Sequence, residues 1–312
     1  MLKKYPEIEN SYRQKFIDNF TNLFPELLDC RYSITEKIHG SNIQLVFEPD
    51  KKLKVCSRNR ILSDGEEFFG VWEVLDKIGD TISFLQHSIN SYPNKRIIRL
   101  FGELYGPKIQ KGVYYGEERN ISFFDMVVDD EFLTQDAFFK FGRKHLNQVV
   151  PLFAIVNSLE EALNFDTERP SEVVNPLEYP DNICEGIVIK PFDKVFYNKV
   201  GQIFYLKKKN EKFKEKSREP KKPKQAEDSN IVRLNTEFRS YITEQRVQNI
   251  FSKEGIIQEP KEIGKYIKLI LEDAKGDFLK DFGDEMKGMD KKELKKIYNV
   301  GSQIANILME YL

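Results

Sequence analysis

The sequence predicts an α+β protein: antiparallel sheets with a few helices, followed by a small all-α C-terminal domain. Three observations carry this. Alternating and β-branched runs dominate the first two thirds of the chain. A basic, proline-containing stretch then interrupts it, KKKNEKFKEKSREPKKPK at 207–224. Beyond that stretch the apolar period becomes that of a helix.

The segments YSITEKIHG, NIQLVFEP and KLKVCSR read as three consecutive strands, with Pro49-Asp50 turning the second into the third. RIIRLFGELYG, ISFFDMVV, EGIVIK and QIFYLKKK are further β-rich runs. Helices are expected over 66–78, where Phe69, Trp72 and Leu75 fall at helical spacing, and over 134–145. After the basic stretch, Ile263, Tyr266, Ile267, Ile270 and Leu271 share a helical face, with Pro260 suited to a first turn. Leu294, Ile297, Ile304, Ile307, Leu308 and Tyr311 form a second stripe, with Asp290 as its cap. Phe238, Tyr241, Ile242 and Phe251 form a third. These stripes are read as core. The domains are set at 1–220 and 231–312, with 221–230 as the linker.

The 312 residues amount to about two domains. With 24 Phe and 14 Tyr there is material for a core, so neither wholesale disorder nor a collagen-like chain fits. No apolar run approaches the ~18 residues of a membrane span. The start MLKKYPEIEN lacks the apolar region of a signal peptide. Cys30, Cys56 and Cys184 are widely separated, no CxxC occurs, and there are three histidines. A zinc site is not expected; reduced thiols in a cytoplasmic protein are. The net charge of −1 hides a local excess at 207–224, ten basic against three acidic residues. That run reads either as a solvated spacer or as a phosphate-backbone contact.

The chemistry concentrates in five short segments. Glu36-Lys37-Ile38-His39-Gly40-Ser41-Asn42 puts a lysine on a strand just before a tight glycine turn. A free lysine, with a pKa of about 10.4, is protonated at neutral pH and a poor nucleophile. Neighbouring cations and desolvation can change that. Alone, the segment fits a nucleophile or a surface lysine at a hairpin. Phe101-Gly102-Glu103-Leu104-Tyr105-Gly106 puts a carboxylate at a strand end beside two glycines. Phe123-Phe124-Asp125 ends a β run, with Phe124 and Asp125 expected on opposite faces. Glu185 and Lys190 bracket the apolar strand of Cys184-Glu185-Gly186-Ile187-Val188-Ile189-Lys190-Pro191. In Tyr205-Leu206-Lys207-Lys208-Lys209-Asn210, alternation puts Lys207 and Lys209 on one face and Lys208 on the other.

This ordered set resembles motifs I, III, IIIa, IV and V of the covalent nucleotidyltransferases, the superfamily of nucleic-acid ligases and capping enzymes. Ser57-Arg58 fits the intervening motif Ia. Histidine in KxHG, in place of the aspartate of KxDG, points to the RNA ligase 2 family, which includes phage RNA ligase 2 and the kinetoplastid RNA-editing ligases. The phage type is the closer likeness, through MLKKYPEIENSYRQKFI, EEFFG at 66–70, GPKIQKGVYYG at 106–116, KKKNEKFKEK at 207–216 and RVQNIFSK at 246–253. The resemblance fades after about residue 276. Thr35 stands where the phage type has a basic residue, and Ile43 where an aromatic is common.

The resemblance implies an antiparallel-sheet adenylyltransferase domain with a helical C-terminal domain. It implies an ATP-dependent RNA ligase that joins 3′-OH and 5′-phosphate ends, at nicks in duplex RNA, through lysyl-AMP and AMP-RNA. Lys37 would be the nucleophile. Lys207 and Lys209 would bind phosphates and lower the Lys37 pKa. Glu185 would hold Mg2+ or Mn2+. Glu103 would accept a hydrogen bond from the ribose, Phe124 would stack on adenine, and Glu36 would lie beside it. Arg58 would contact phosphate or ribose. His39 and Asn42 would surround the α-phosphate, Lys190 would help with phosphate, and Tyr5 and Asp125 would support the site. Arg246 and Asp273 would act in the phosphate steps, or be plain helix-surface charges. A monomer is expected, with no membrane partner. The other readings are a DNA ligase or GTP-using capping enzyme, which KxHG and the helical tail oppose, and a non-catalytic RNA-binding protein, which the retained lysines and Glu185 oppose.

Overall fold

The structure, a computed structural model, describes residues 2–91, 96–146, 148–213, 229–257 and 259–311. Two compact units divide the chain, Met1–Asn210 and Glu211–Leu312. The linker expected at 221–230 lies outside the described residues as far as 228.

The first unit runs, in order, through β1 (Glu9–Asn10), α1 (Gln14–Leu23), β2 (Tyr32–Glu36), β3 (Ser41–Phe47), β4 (Lys54–Ser57), α2 (Val71–Lys77), α3 (Gly79–Ser91), β5 (Ile98–Tyr105), β6 (Asn120–Val128) and β7 (Glu131–Phe132). It continues through α4 (Gln135–His145), β8 (Leu152–Val156), α5 (Leu159–Asn164), β9 (Gly186–Pro191) and β10 (Leu206–Lys209). One sheet has the order β1-β10-β9-β2-β8, the other β4-β3-β5-β6-β7. Every pairing is antiparallel except β1 with β10. The expected β3–β4 hairpin forms, with Ile43 opposite Ser57. The step from β2 to β3, however, is no hairpin: it leaves one sheet and enters the other.

Side-chain pattern explains the layering. β9, Gly-Ile-Val-Ile-Lys-Pro, is buried along its whole length, as its near-continuous apolar run requires of a central strand. Ile187 and Ile189 pack with Tyr32 and Ile34 of β2 against α1 and α5. Leu45, Leu100 and Ile121 of the second sheet pack against α2, α3 and α4. A third cluster, Tyr5, Phe101, Val127, Ile203 and Tyr205, joins strands of the second sheet to the approach of β10.

Two helix expectations shift. The helix sought over 66–78 starts at Val71, because Phe69 and Gly70 take the left-handed conformation (φ 49° and 65°). Phe69 is therefore core from a turn. The helix over 134–145 starts at Gln135, with the Thr134 side chain accepting from the Ala137 N–H.

The second unit is helical among the described residues: α6 (Ser229–Ser240), α7 (Glu244–Glu254), α8 (Ile263–Phe282), α9 (Lys291–Ile297) and α10 (Gly301–Met309). Its core holds Phe238, Tyr266, Ile270, Ile297, Ile304 and Leu308. Pro260 opens a short 3-10 turn that leads into α8. The stripe expected from Leu294 to Tyr311 is split between α9 and α10, and the stripe from Phe238 to Phe251 between α6 and α7, where Thr243 caps α7. Asp290 caps α9 in a reciprocal box with Glu293. No described helix is long and apolar enough to cross a membrane.

Arg246 and Asp273 meet inside this unit. Arg246 is 1% exposed. Its guanidinium binds Asp273, Asp277 (2.9 Å) and the Tyr241 carbonyl (2.8 Å), and Lys253 also reaches Asp273 (3.1 Å). The alternative of a plain surface charge is thus excluded for Arg246, which ties α7 to α8 from within. Replacing it by methionine leaves two carboxylates without their fork. Arg246→Met is expected to lower stability by roughly 3 kcal/mol, read from urea or thermal unfolding of the full chain; a change below ~1 kcal/mol would contradict this role.

Candidate active site

The β2–β9–β10 order places the chemistry. Lys37 follows β2, Glu185 precedes β9, and Lys209 ends β10. Backbone bonds pin the three together: the Lys37 N–H donates to the Gly186 carbonyl (2.9 Å), and the Asn210 N–H donates to the Glu185 carbonyl (2.9 Å). Gly186 faces Lys209 across the ladder. A Cβ at Gly186 would lie 2.1 Å from the Lys208 carbonyl oxygen, so only glycine allows this approach.

The Glu185 carboxylate is the centre of the cluster and is 1% exposed. Its Oε2 accepts from Lys37 Nζ at 2.7 Å and lies 3.4 Å from His39 Nδ1. Its Oε1 lies 3.1 Å from Lys209 Nζ. Burial by itself would raise the pKa of this carboxyl. The charges of Lys37, Lys209 and His39 overcome that and hold it well below the usual range. The His39 N–H donates to the Tyr115 hydroxyl (2.8 Å), a partner that the sequence reading missed. Asn210, also missed, donates through Nδ2 to the Thr167 and Cys184 carbonyls (both 2.8 Å) and so fixes the chain at Glu185.

The second sheet supplies the facing groups. Asn42 and Glu103 are cross-strand partners on β3 and β5. Gly40 makes the passage between sheets possible: a Cβ there would stand 2.2 Å from the Leu104 carbonyl oxygen. Burial pushes the Glu103 carboxyl up to about 7, against the opposing charge of Lys37 and the added repulsion of Glu185. Arg58, just past β4, acts electrostatically on both Glu103 and Tyr5.

A second cluster forms around Lys190. Its Nζ donates to Asp125 Oδ2 (2.8 Å) and to the Phe124 carbonyl (3.2 Å). It lies 4.9 Å from the centre of the Tyr205 ring and 5.3 Å from that of Phe124. Burial lowers its pKa, with Asp125 opposing. Asp125 also accepts from the Tyr5 hydroxyl and from Gln135 Nε2 (2.8 Å). Lys190, expected at a phosphate, is thus engaged by Asp125 in a buried pair. The expected split of Phe124 and Asp125 to opposite faces does not occur. Phe101 pairs with Asp125 and Gly102 with Phe123, which leaves Phe124 as the extra residue of a bulge. A bulge interrupts alternation, and both side chains meet Tyr5 and Lys190.

On β10 the alternation holds for the two lysines with described contacts. Lys209 turns to Glu185, whereas Lys208 donates to the Leu163 and Phe165 carbonyls (both 2.9 Å) and caps the C-terminal end of α5. Lys207 is half-buried, opposite Val188. Glu36 is buried and accepts from the Ser171 hydroxyl (2.6 Å) and the Glu172 N–H (2.9 Å). Nothing in the sequence pattern pointed to Ser171, which comes from a segment 135 residues away.

Burial pushes the Glu36 carboxyl up to about 7 from 4.5, with its two donors only partly offsetting the shift. Between those values the folded chain holds more protons than the unfolded one. Stability should therefore fall as pH rises from about 4.5 to about 7, by on the order of 3 kcal/mol for Glu36, and level off above that. Glu103 contributes in the same sense. Glu36→Gln should flatten the pH dependence of the unfolding midpoint by about half; an unchanged slope would refute the assignment.

The RNA ligase family model matches residues 31–209, and the T4 RNA ligase 2 C-terminal model matches residues 224–306, well past residue 276, where the motif likeness fades. Among solved structures, an RNA ligase variant of Naegleria gruberi with ATP and Mn is 19% identical with a TM-score of 0.49 over 68% of this chain and 57% of that one. A variant with AMP and Mn gives 19%, 0.48, 68% and 57%, and the ligase with pyrophosphate 20%, 0.48, 68% and 57%. The chain spans less than two thirds of the length of that ligase. Because the first family model covers more than half the chain and runs from before Lys37 to Lys209, this protein belongs to the RNA ligase family, with a C-terminal domain of the T4 RNA ligase 2 type.

Proposed function

We propose that this protein is an ATP-dependent RNA ligase that seals 3′-OH/5′-phosphate nicks in duplex RNA through lysyl-AMP and AMP-RNA. The observation that carries the reading is the Lys37 Nζ held 2.7 Å from a buried Glu185 carboxylate that Lys209 and His39 also flank. In the first step the deprotonated Lys37 amine attacks the α-phosphorus of ATP; a P–N bond forms and pyrophosphate leaves. In the second, an RNA 5′-phosphate oxygen attacks that phosphorus and Lys37 leaves. In the third, a 3′-hydroxyl attacks the RNA phosphate and AMP leaves. Each is a phosphoryl or nucleotidyl transfer in which positioning and charge neutralisation do most of the catalysis.

Lys207 and Lys209 serve as phosphate-binding cations, and Glu103 accepts from the ribose. Phe124, half-buried on its bulge, offers its ring to adenine, while Lys190, Asp125 and Tyr5 hold that bulge. Glu36, Asn42, His39 and Arg58 line the nucleotide. The donor set fits Mg2+ or Mn2+ at Glu185. Glu185 would supply one carboxylate oxygen, and water and phosphate oxygens the rest of the shell. When bound, the ion would neutralise phosphate charge. We assign Arg246 and Asp273 to holding the helical domain together. The domains are taken as 1–220 and 231–312, and the protein as a monomer acting in a cytoplasm, consistent with three free cysteines.

Incubation with α-labelled ATP or GTP and magnesium, after pyrophosphate treatment to strip bound AMP, tests this. Acid-labile label from ATP alone, absent in Lys37→Ala and reduced at least ~100-fold in Glu185→Ala, is expected. Label from GTP would indicate capping chemistry. No label would sink the ligase reading and leave RNA binding without catalysis.

A further inference from the structure

The helical unit carries a concentrated cationic surface for which the chemistry above has no use. Helix α9 reads Lys-Lys-Glu-Leu-Lys-Lys-Ile. Lys291, Lys292, Lys295 and Lys296 are all exposed. At i, i+4 spacing, Lys291 with Lys295 and Lys292 with Lys296 form two adjacent rows one turn apart, a placement in which like charges repel. Among the described residues none of the four has an ion-pair partner. Elsewhere in the unit Lys253, Lys280 and Lys287 are paired with Asp273, Asp277 and Asp284; Lys265 and Lys268 on α8 also lack an ion pair among the described residues, but only α9 sets four such lysines in two adjacent rows.

The two acids nearest in sequence are used elsewhere. Asp290 accepts from the Lys292 and Glu293 N–H groups, and Glu293 accepts from the Asp290 N–H. More positive charge gathers at the turn after α9. Exposed Arg239 donates to the Asn299 carbonyl (3.3 Å), and Lys275 lies 4.6 Å from the centre of the Tyr298 ring. The apolar residues of α9 point inward: Ile297 is fully buried and Leu294 packs on the core. Asn235 Nδ2 fixes the helix end through the Lys296 and Ile297 carbonyls (3.2 and 2.7 Å). The surface is therefore rigidly mounted, purely electrostatic and without an apolar face to enter a lipid layer.

We propose that the α9 lysine rows, with Arg239 and Lys275, are a sequence-independent docking surface for the phosphate backbone of the RNA substrate. The inference rests on the ligase reading for the identity of the polyanion. Clustered lysines on a fixed helix are compact point charges suited to successive phosphates, with no fork to read a base. The like-charge repulsion along α9 is relieved when phosphates lie against it.

The test is a variant with Lys291→Gln, Lys292→Gln, Lys295→Gln and Lys296→Gln, measured for binding to nicked duplex RNA across a salt series. Each phosphate contact contributes on the order of one unit to the slope of log K against log salt. The variant should lose about two to four units of slope and bind at least ~10-fold more weakly near 0.1 M salt, with a matching rise in KM for sealing. Label transfer from ATP without RNA should be unchanged. A control carrying Lys280→Gln and Lys287→Gln, whose lysines are already paired, should keep the wild-type slope. An unchanged slope in the fourfold variant overturns the proposal. So does loss of binding to vesicles containing phosphatidylserine with RNA binding intact. If wild-type protein takes no label from ATP, the ligase reading fails irrespective of the slope; if it labels normally and the slope does not move, only the α9 surface is refuted.

Discussion

A single buried carboxylate organises the first unit. Glu185 is withdrawn from water, and such a charge is tolerated only where cations surround it. Lys37, His39 and Lys209 do so from three different parts of the chain, which makes the cluster a condition on the whole sheet. β9 must lie between β2 and β10, and the backbone must pass within contact distance at Gly186. The same pairing that satisfies the buried charge fixes the Lys37 amine beside Glu185, at 2.7 Å.

The two sheets meet around this point with a division of labour. The first brings Lys37, His39 and Lys209 to Glu185. The second contributes Glu103, Asn42 and Phe124, and Gly40 is the thin place where the chain crosses between them. The Lys190–Asp125 pair fastens β9 to β6 and, with Tyr5, braces the bulge that presents Phe124. It is a second buried ion pair close to the first in sequence but more enclosed, with Lys190 and Asp125 both almost fully buried while Lys37 keeps part of its side chain exposed. Registry of this kind is the best-attested use of buried charge.

The helical unit follows a simpler logic. Its core is an apolar stripe on each helix, locked by the Arg246 fork and by side-chain caps at Thr243 and Asp290. Among the described residues some of its lysines pair with Asp273, Asp277 and Asp284, while the two rows of α9 concentrate four without an ion pair on one helix; composition does not show that distinction, since both kinds are lysines in a lysine-rich tail.

Much of this was legible from the chain alone. Strand periodicity, the change of period after the basic stretch, and the ordered segments around Lys37, Glu103, Phe124, Glu185 and Lys207 to Lys209 are local patterns, and local patterns are what spacing reports. The sequence by itself determined the α+β class, the helical tail, the family and the residues that gather at Glu185. Tertiary structure alone decided that β2 and β3 belong to different sheets, that a bulge turns Phe124 to the same neighbours as Asp125, that Lys190 is spent on Asp125, and that Ser171 holds Glu36. Each of these depends on register or on a contact between distant segments. A shift of one residue in pairing reverses which face a side chain occupies, and no local spacing records it.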